Sequence, residues 1–269
     1  MSTVIAAKIL LAPAFVVGVS LAARRFGPRI GGLVGGLPVV AGPILLVFAL
    51  SHGRAFAAQA AAGTLLGIVS LCTFIVVYAR LATRARWGVS LLAGWASFFA
   101  MTGVLSTISI PAGVALAVVL AALALTSAGL PRVEDELSSV VSPPTWDLPL
   151  RALSALALVL ALTALAGQLG AQLSGLLAPF PVVASVLAVF THAQHGEDDL
   201  LRIMRGFVIG LVAYALFCYT LAVSLDSLGI AAGFLLGTAV ALTTQALALT
   251  VVTWRAARAL LREPGFERV

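Results

Sequence analysis

The chain has 269 residues, of which 61% are hydrophobic and 10% charged, and its mean hydropathy is +1.13. A soluble domain carries roughly a quarter charged residues, so a water-soluble globule is excluded. The net charge of +6 does not indicate a nucleic-acid partner, because the basic residues sit in short loops between apolar runs, where they act as topology signals.

Nine apolar runs follow one another along the chain, bounded by charge, Gly or Pro: approximately 4–22, 30–50, 57–79, 88–106, 111–128, 150–167, 174–193, 203–224 and 229–254. Runs of about 20 such residues are long enough to cross a hydrocarbon core of roughly 30 Å. No cleavable signal peptide is expected, since the first run lacks a basic leader and is followed by Arg24 and Arg25 rather than by a small-residue cleavage site. The one sizeable polar linker is 131–149, and a short basic tail follows Arg255. Both cysteines, Cys72 and Cys218, fall inside apolar runs, where they behave as small hydrophobes.

The basic residues test the number of crossings independently. With nine crossings and a cytoplasmic C-terminus, the inner loops collect Arg24, Arg25, Arg29, Arg80, Arg84 and Arg86 from the first part of the chain. Arg132, Arg151, Arg202, Arg205, Arg255, Arg258, Arg262 and Arg268 join them from the second. Only Lys8 and Arg54 of the 16 Lys and Arg residues stay outside. The positive-inside rule therefore orients the chain in a bacterial-type inner membrane with its N-terminus outside and its C-terminus in the cytoplasm.

Internal similarity appears at an offset of 143 residues, which carries His52 onto His195. FGPRIGGLVGGLPVVAGPILLVFALSHG (26–53) aligns without a gap on LGAQLSGLLAPFPVVASVLAVFTHAQHG (169–196), matching Gly32, Pro38, His52 and Gly53 with Gly175, Pro181, His195 and Gly196. The flanking runs agree: Gly63, Gly67 and Phe74 fall on Gly206, Gly210 and Phe217, and Lys8 falls on Arg151. Runs 1–4 thus recur as runs 6–9, and run 5 has no counterpart. A single extra crossing reverses the second half, and the loop charges follow suit: the mate of the Arg24–Arg29 loop is the uncharged GQLGAQ (167–172). The expected fold is an all-α integral membrane protein with a 4+1+4 inverted repeat. Residues 1–110 form the first half, 111–149 a linker helix and loop, and 150–269 the second half with its tail. Inverted repeats are frequent in secondary transporters, and the same plan occurs in some ion channels.

Candidate functional residues follow from this symmetry. Gly35, Gly36 and Pro38 lie at the centre of run 2, and Pro179 and Pro181 lie at the matching place in run 7. Proline removes a backbone donor and clashes with the preceding turn, so both helices should kink or break there. An inverted two-fold would bring the two breaks together at the midplane, framing a substrate route. The alternative is that the glycines only allow close helix packing. His52 and His195 either gate the route or cap helix ends. Lys8 and Arg151 either contact an anion or snorkel towards head groups. The mid-run polar side chains Thr102, Thr107, Thr243, Thr244, Gln245 and Thr250 are weak signals; Gln245 is a further candidate for the route, the alternative being that such hydroxyls and amides bond to neighbouring helices. No Asp or Glu falls in the middle of a run, which disfavours a cation exchanger. No nucleophile motif, nucleotide-binding loop or metal-ligand spacing is present, so neither enzymatic catalysis, a metal nor another cofactor is expected.

The stretch SGLLAPFPVVASVLAVFTHAQHG (174–196), with Gly, then Pro-Phe-Pro, an apolar run and an Ala/His/Gly ending, resembles the corresponding helix of the GlpM-like family. Those are small four-helix bacterial inner-membrane proteins associated with alginate production. The resemblance implies a fused, doubled version of such a protein and offers no catalytic residues to carry over. In the first half Gly36-Leu37-Pro38 stands in place of Pro-Phe-Pro. The expected function is a transporter or permease for a small uncharged or anionic solute, working between the halves. Alternatives are a translocase for lipids or lipid-linked precursors, an ion channel, or a non-transporting factor in envelope-polysaccharide assembly. The expected partners are membrane lipids and the small-molecule or lipid substrate, with no nucleic acid, and the plan is compatible with a homo-oligomer.

Overall fold

An apolar chain in lipid has no water with which to pair its backbone, and helices satisfy every N–H and C=O within one segment. The protein follows that rule. The computed structural model describes the backbone of residues 2–131, 133, 144–166 and 171–260, and side chains within 11–131, 133, 144–161 and 173–254. It is 88% helical, with no strand among the described residues. Lys8 therefore has a described backbone, in the first helix, but its side chain lies outside the described set, as do those of Arg132, Arg255 and Arg258.

The helices are α1 (Ser2–Phe26), α2 (Pro28–Gly35), α3 (Ala41–His52), α4 (Arg54–Ala82), α5 (Trp87–Ser106), α6 (Ala112–Gly129), α7 (Asp147–Ala166) and α8 (Ala171–Leu177). A last helical stretch, Val182–Leu260, leaves helical geometry at Gly196 (φ 84°) and Gly229 (φ 82°). Those two points divide it into α9 (182–195), α10 (197–228) and α11 (230–260). Among the described residues, four helical stretches are long and apolar enough to cross a membrane: Arg54–Ala82, Trp87–Ser106, Ala112–Gly129 and the 82 residues Leu173–Trp254. The last would measure about 120 Å if straight, at 1.5 Å per residue. It instead folds back at Gly229, so that Phe217 and Phe234 meet with ring centroids 6.3 Å apart.

Left-handed glycines make the sharpest turns. Gly53 (φ 88°, ψ 172°) separates α3 from α4, and Gly196 (φ 84°, ψ −171°) separates α9 from α10 in nearly the same conformation. An L side chain is strained at such φ values, so glycine here follows from the backbone path.

Runs 2 and 7 are each broken in the middle. Leu37 N–H donates to Val34 O, Val39 N–H to Leu37 O and Gly42 N–H to Pro38 O, which gives a tight turn around Pro38 between α2 and α3. Phe180 N–H donates to Leu177 O, Val182 N–H to Phe180 O and Ser185 N–H to Pro181 O, closing the same turn around Pro181 between α8 and α9. The expected helix break is present at both prolines. The helix that carries the run expected at 150–167 starts before it: α7 begins at Asp147, so the last residues of the polar linker belong to a helix.

Two short half-helices dock on long ones. A Cβ placed on Gly32 of α2 would lie 2.0 Å from Ile203 O of α10, and one on Gly175 of α8 would lie 2.3 Å from Ala60 O of α4. A Cβ on Gly210 would likewise lie 2.2 Å from Leu33 O, and one on Gly67 2.6 Å from Leu176 O. No side chain fits between backbones that close. In both segments the glycines permit tight crossing and the prolines break the helix.

Candidate functional site

The two proline turns face one another across a cavity of about 310 Å³. Gly35, Gly36 and Pro38 line it from the first turn, and Pro179, Phe180 and Pro181 from the second. Five of the residues expected on a substrate route are thus brought together by segments far apart in sequence. The remaining wall is mostly aliphatic and aromatic, and it includes no Asp, Glu, Lys or Arg side chain among the described residues. Its polar side chains are His52, Ser174 and Tyr214. The buried Tyr214 hydroxyl has no hydrogen-bond partner within the described protein. An unpaired buried hydroxyl costs about 1–3 kcal/mol.

His52 marks one end of this space. It is exposed, and its ring stacks on Phe56 at 4.6 Å with Phe48 edge-on at 6.2 Å. Its mate His195 does not line the cavity, and the buried Nδ1 of His195 has no partner. Gln245 is also off the wall. Its Nε2 donates to Leu33 O at 2.6 Å, adding a side-chain donor to a carbonyl in the last turn of α2 that also accepts from Gly36 N–H at 3.2 Å. Gln245 therefore holds the broken helix in place instead of facing the cavity.

Arg151 is neither snorkelling nor free. It is 5% exposed, its Nε donates to both Asp147 carboxylate oxygens at 2.9 and 2.8 Å, and its guanidinium lies 4.9 Å from the Phe190 ring centroid. Asp147 is fully buried and also accepts from Arg24 and from Gln194 Nε2, the latter at 2.7 Å. Burial alone would raise the Asp147 pKa, but the charge of Arg151 and the hydrogen bonds from Gln194, Arg151 and Arg24 outweigh it and hold the carboxyl below its usual value. This cluster ties α1 to α7 and α9. Sequence reasoning missed it because Asp147 reads as part of a polar linker. The one available signal was its i, i+4 spacing from Arg151.

A second polar contact braces the other turn: Trp95 Nε1 donates to Ser185 Oγ at 2.9 Å, and Trp95 packs against Phe180 with centroids 5.8 Å apart. No protein-family model, curated protein or solved structure matches the chain.

Proposed function

We propose that the protein is a nine-crossing membrane transporter that moves a small solute through the space between the Pro38 and Pro181 turns. The observation that carries this reading is the cavity itself, walled at its centre by one broken helix from each end of the chain. Discontinuous helices at an interface between repeats are a common way to expose backbone polar groups to a substrate within a membrane.

Support for an inverted repeat comes from contacts that recur at the 143-residue offset. Gly32 against Ile203 O has its counterpart in Gly175 against Ala60 O, and Gly210 against Leu33 O in Gly67 against Leu176 O. Gly94 against the Phe74 ring repeats as Gly237 against the Phe217 ring. The three hydrogen bonds of each proline turn match one for one. Each half-helix docks on the long helix of the other half, which fits two units related by an in-plane two-fold. Such a chain would be a doubled relative of the GlpM-like proteins, oriented in an inner membrane with the Arg24 end in the cytoplasm.

The wall favours an uncharged solute with at least one hydrogen-bonding group. Charge would be desolvated against the aliphatic lining, whereas the Ser174 and His52 side chains on the wall are of types that can accept or donate. Reconstitution into proteoliposomes, with uptake screened across uncharged, anionic and cationic solutes with and without a pH gradient, tests the reading. Saturable uptake of a neutral solute, lost on Pro181→Ala, is expected. Uptake of no class above that of empty liposomes refutes it.

A further inference from the structure

The two ends of the route are unequal, although the repeat would make them equivalent. At the centre of the cavity both halves contribute matched residues: Gly36 with Pro179, Pro38 with Pro181, and Leu71 with Tyr214. Away from the centre the cavity extends in one direction only. Ile44, Phe48 and His52 of α3, with Phe56 of α4, carry its wall to the exposed His52. Their mates at the 143-residue offset are Leu187, Thr191, His195 and Asp199. None of these lines the cavity, and Leu187, Thr191 and Asp199 are buried at 1%, 4% and 5% exposure. From the facing side, Val159, Phe207 and Leu211 line the cavity, whereas their mates Val16, Thr64 and Ile68 do not. One vestibule is open and the equivalent one is packed shut.

The Arg24–Asp147–Arg151–Gln194 cluster lies beside the shut vestibule. Gln194 adjoins His195, Phe190 adjoins Thr191, and Arg24 lies two turns beyond Val16 on α1. The cluster joins α1 of the first half to α7 and α9 of the second. The mates of these residues by offset, Gly167, Val4, Lys8 and Ser51, include no carboxylate, so no equivalent ion pair can close the open end.

We propose that the structure is the one-side-open state of an alternating-access cycle, with the Arg24–Asp147–Arg151–Gln194 cluster as the gate that closes the opposite end. In the second state the halves exchange conformations. Leu187, Thr191 and His195 then line an open vestibule, and Ile44, Phe48 and His52 pack together. This inference rests on the transport reading, but its test does not use uptake.

Single cysteines are introduced at Ile44 and at Thr191 of a Cys72→Ala/Cys218→Ala chain, each with and without Arg24→Gln, and reaction with a small water-soluble maleimide is timed in proteoliposomes. Arg24→Gln removes the partly exposed arm of the cluster and leaves the buried Asp147–Arg151 pair intact. With Arg24 present, I44C is expected to react at least about tenfold faster than T191C. With Arg24→Gln, T191C should speed up by about fivefold or more while I44C slows, because one exchange equilibrium governs both. Arg24→Lys, which keeps the charge, should restore the original rates, and melting in detergent verifies that each variant is folded. T191C unchanged by Arg24→Gln in folded protein overturns the gate. T191C and I44C speeding up together overturns the exchange, since that is loosening without alternation. If the exchange occurs while no solute is taken up, the transport reading fails and the two-state device stands.

Discussion

Replacing Gly32 by alanine places a methyl group 2.0 Å from Ile203 O, where ordinary contact begins at 3.4 Å. The obstacle is backbone, so no side-chain rotamer can yield, and α2 must move away from α10. Overpacking of this kind costs about 1–3 kcal/mol, and a chain of this size loses roughly 2–4 °C of melting temperature per kcal/mol. Gly32→Ala should therefore melt about 3–10 °C below the parent in detergent, followed by intrinsic tryptophan fluorescence. Gly175→Ala, whose methyl would meet Ala60 O at 2.3 Å, should lose a comparable amount. Gly103 and Gly113 have nothing within 4 Å of an added Cβ, so alanine there should be neutral or stabilising by up to about 1 kcal/mol through helix propensity. If Gly32→Ala and Gly113→Ala melt together, the reasoning from backbone crossing is wrong.

Pro38→Ala and Pro181→Ala restore a backbone donor at each turn and should straighten the broken helices. Both should fold with melting temperatures near the parent yet lose most solute uptake, and full uptake in either would remove that proline from the route. Asp147→Ala leaves Arg151 buried without a partner, which should cost about 3–5 kcal/mol in denaturant or thermal unfolding. The folded carboxyl titrates below its ordinary value of 3.8, so its stabilisation is present above that pH and is lost as pH falls through the lower folded value. The melting difference between parent and Asp147→Asn should accordingly shrink below about pH 4 and stay flat from pH 5 to 8. Gln245→Leu deprives Leu33 O of its side-chain donor, and a loss of about 1–2 kcal/mol is expected in the same melts.

Helix content, the sites of both breaks and the glycine turns were legible in the sequence because each has a local cause. Proline at 38 and 181 cannot continue a hydrogen-bond ladder, and glycine alone readily takes the φ found at 53 and 196. The cavity was legible only through the internal repeat, which paired two prolines that no local rule connects. What stayed hidden depends on which side chain reaches which neighbour. Gln245 could as well have faced the route as braced Leu33, and periodicity does not distinguish the two. Asp147 was hidden for another reason. Its three partners, Arg24, Arg151 and Gln194, come from three helices, and its neighbourhood 131–149 has the composition of a loop. Apart from Arg151 four residues on, the groups that bury this carboxylate are distant in sequence and leave no signature in its own segment.

A perfect inverted repeat would make the two one-sided states of such a protein equal in energy. Selection between them must then come from positions where the halves differ. Gly167, Val4, Lys8 and Ser51 stand where the other half has Arg24, Asp147, Arg151 and Gln194, so a buried ion pair can form at one end and not at the other. On the alternating-access reading, the features that recur by offset, the proline turns and the glycine crossings, would build a site that both states share, while the divergent polar residues would set the bias. To hold a 99:1 preference such a bias needs about 2.7 kcal/mol, half of the roughly 5.5 kcal/mol that carries a population from 1:99 to 99:1. One ion pair with a part-exposed arginine supplies only a portion of that. Arg24→Gln is therefore expected to leave both states populated rather than invert the preference, and a complete inversion would mean that Arg24 does more than close one gate.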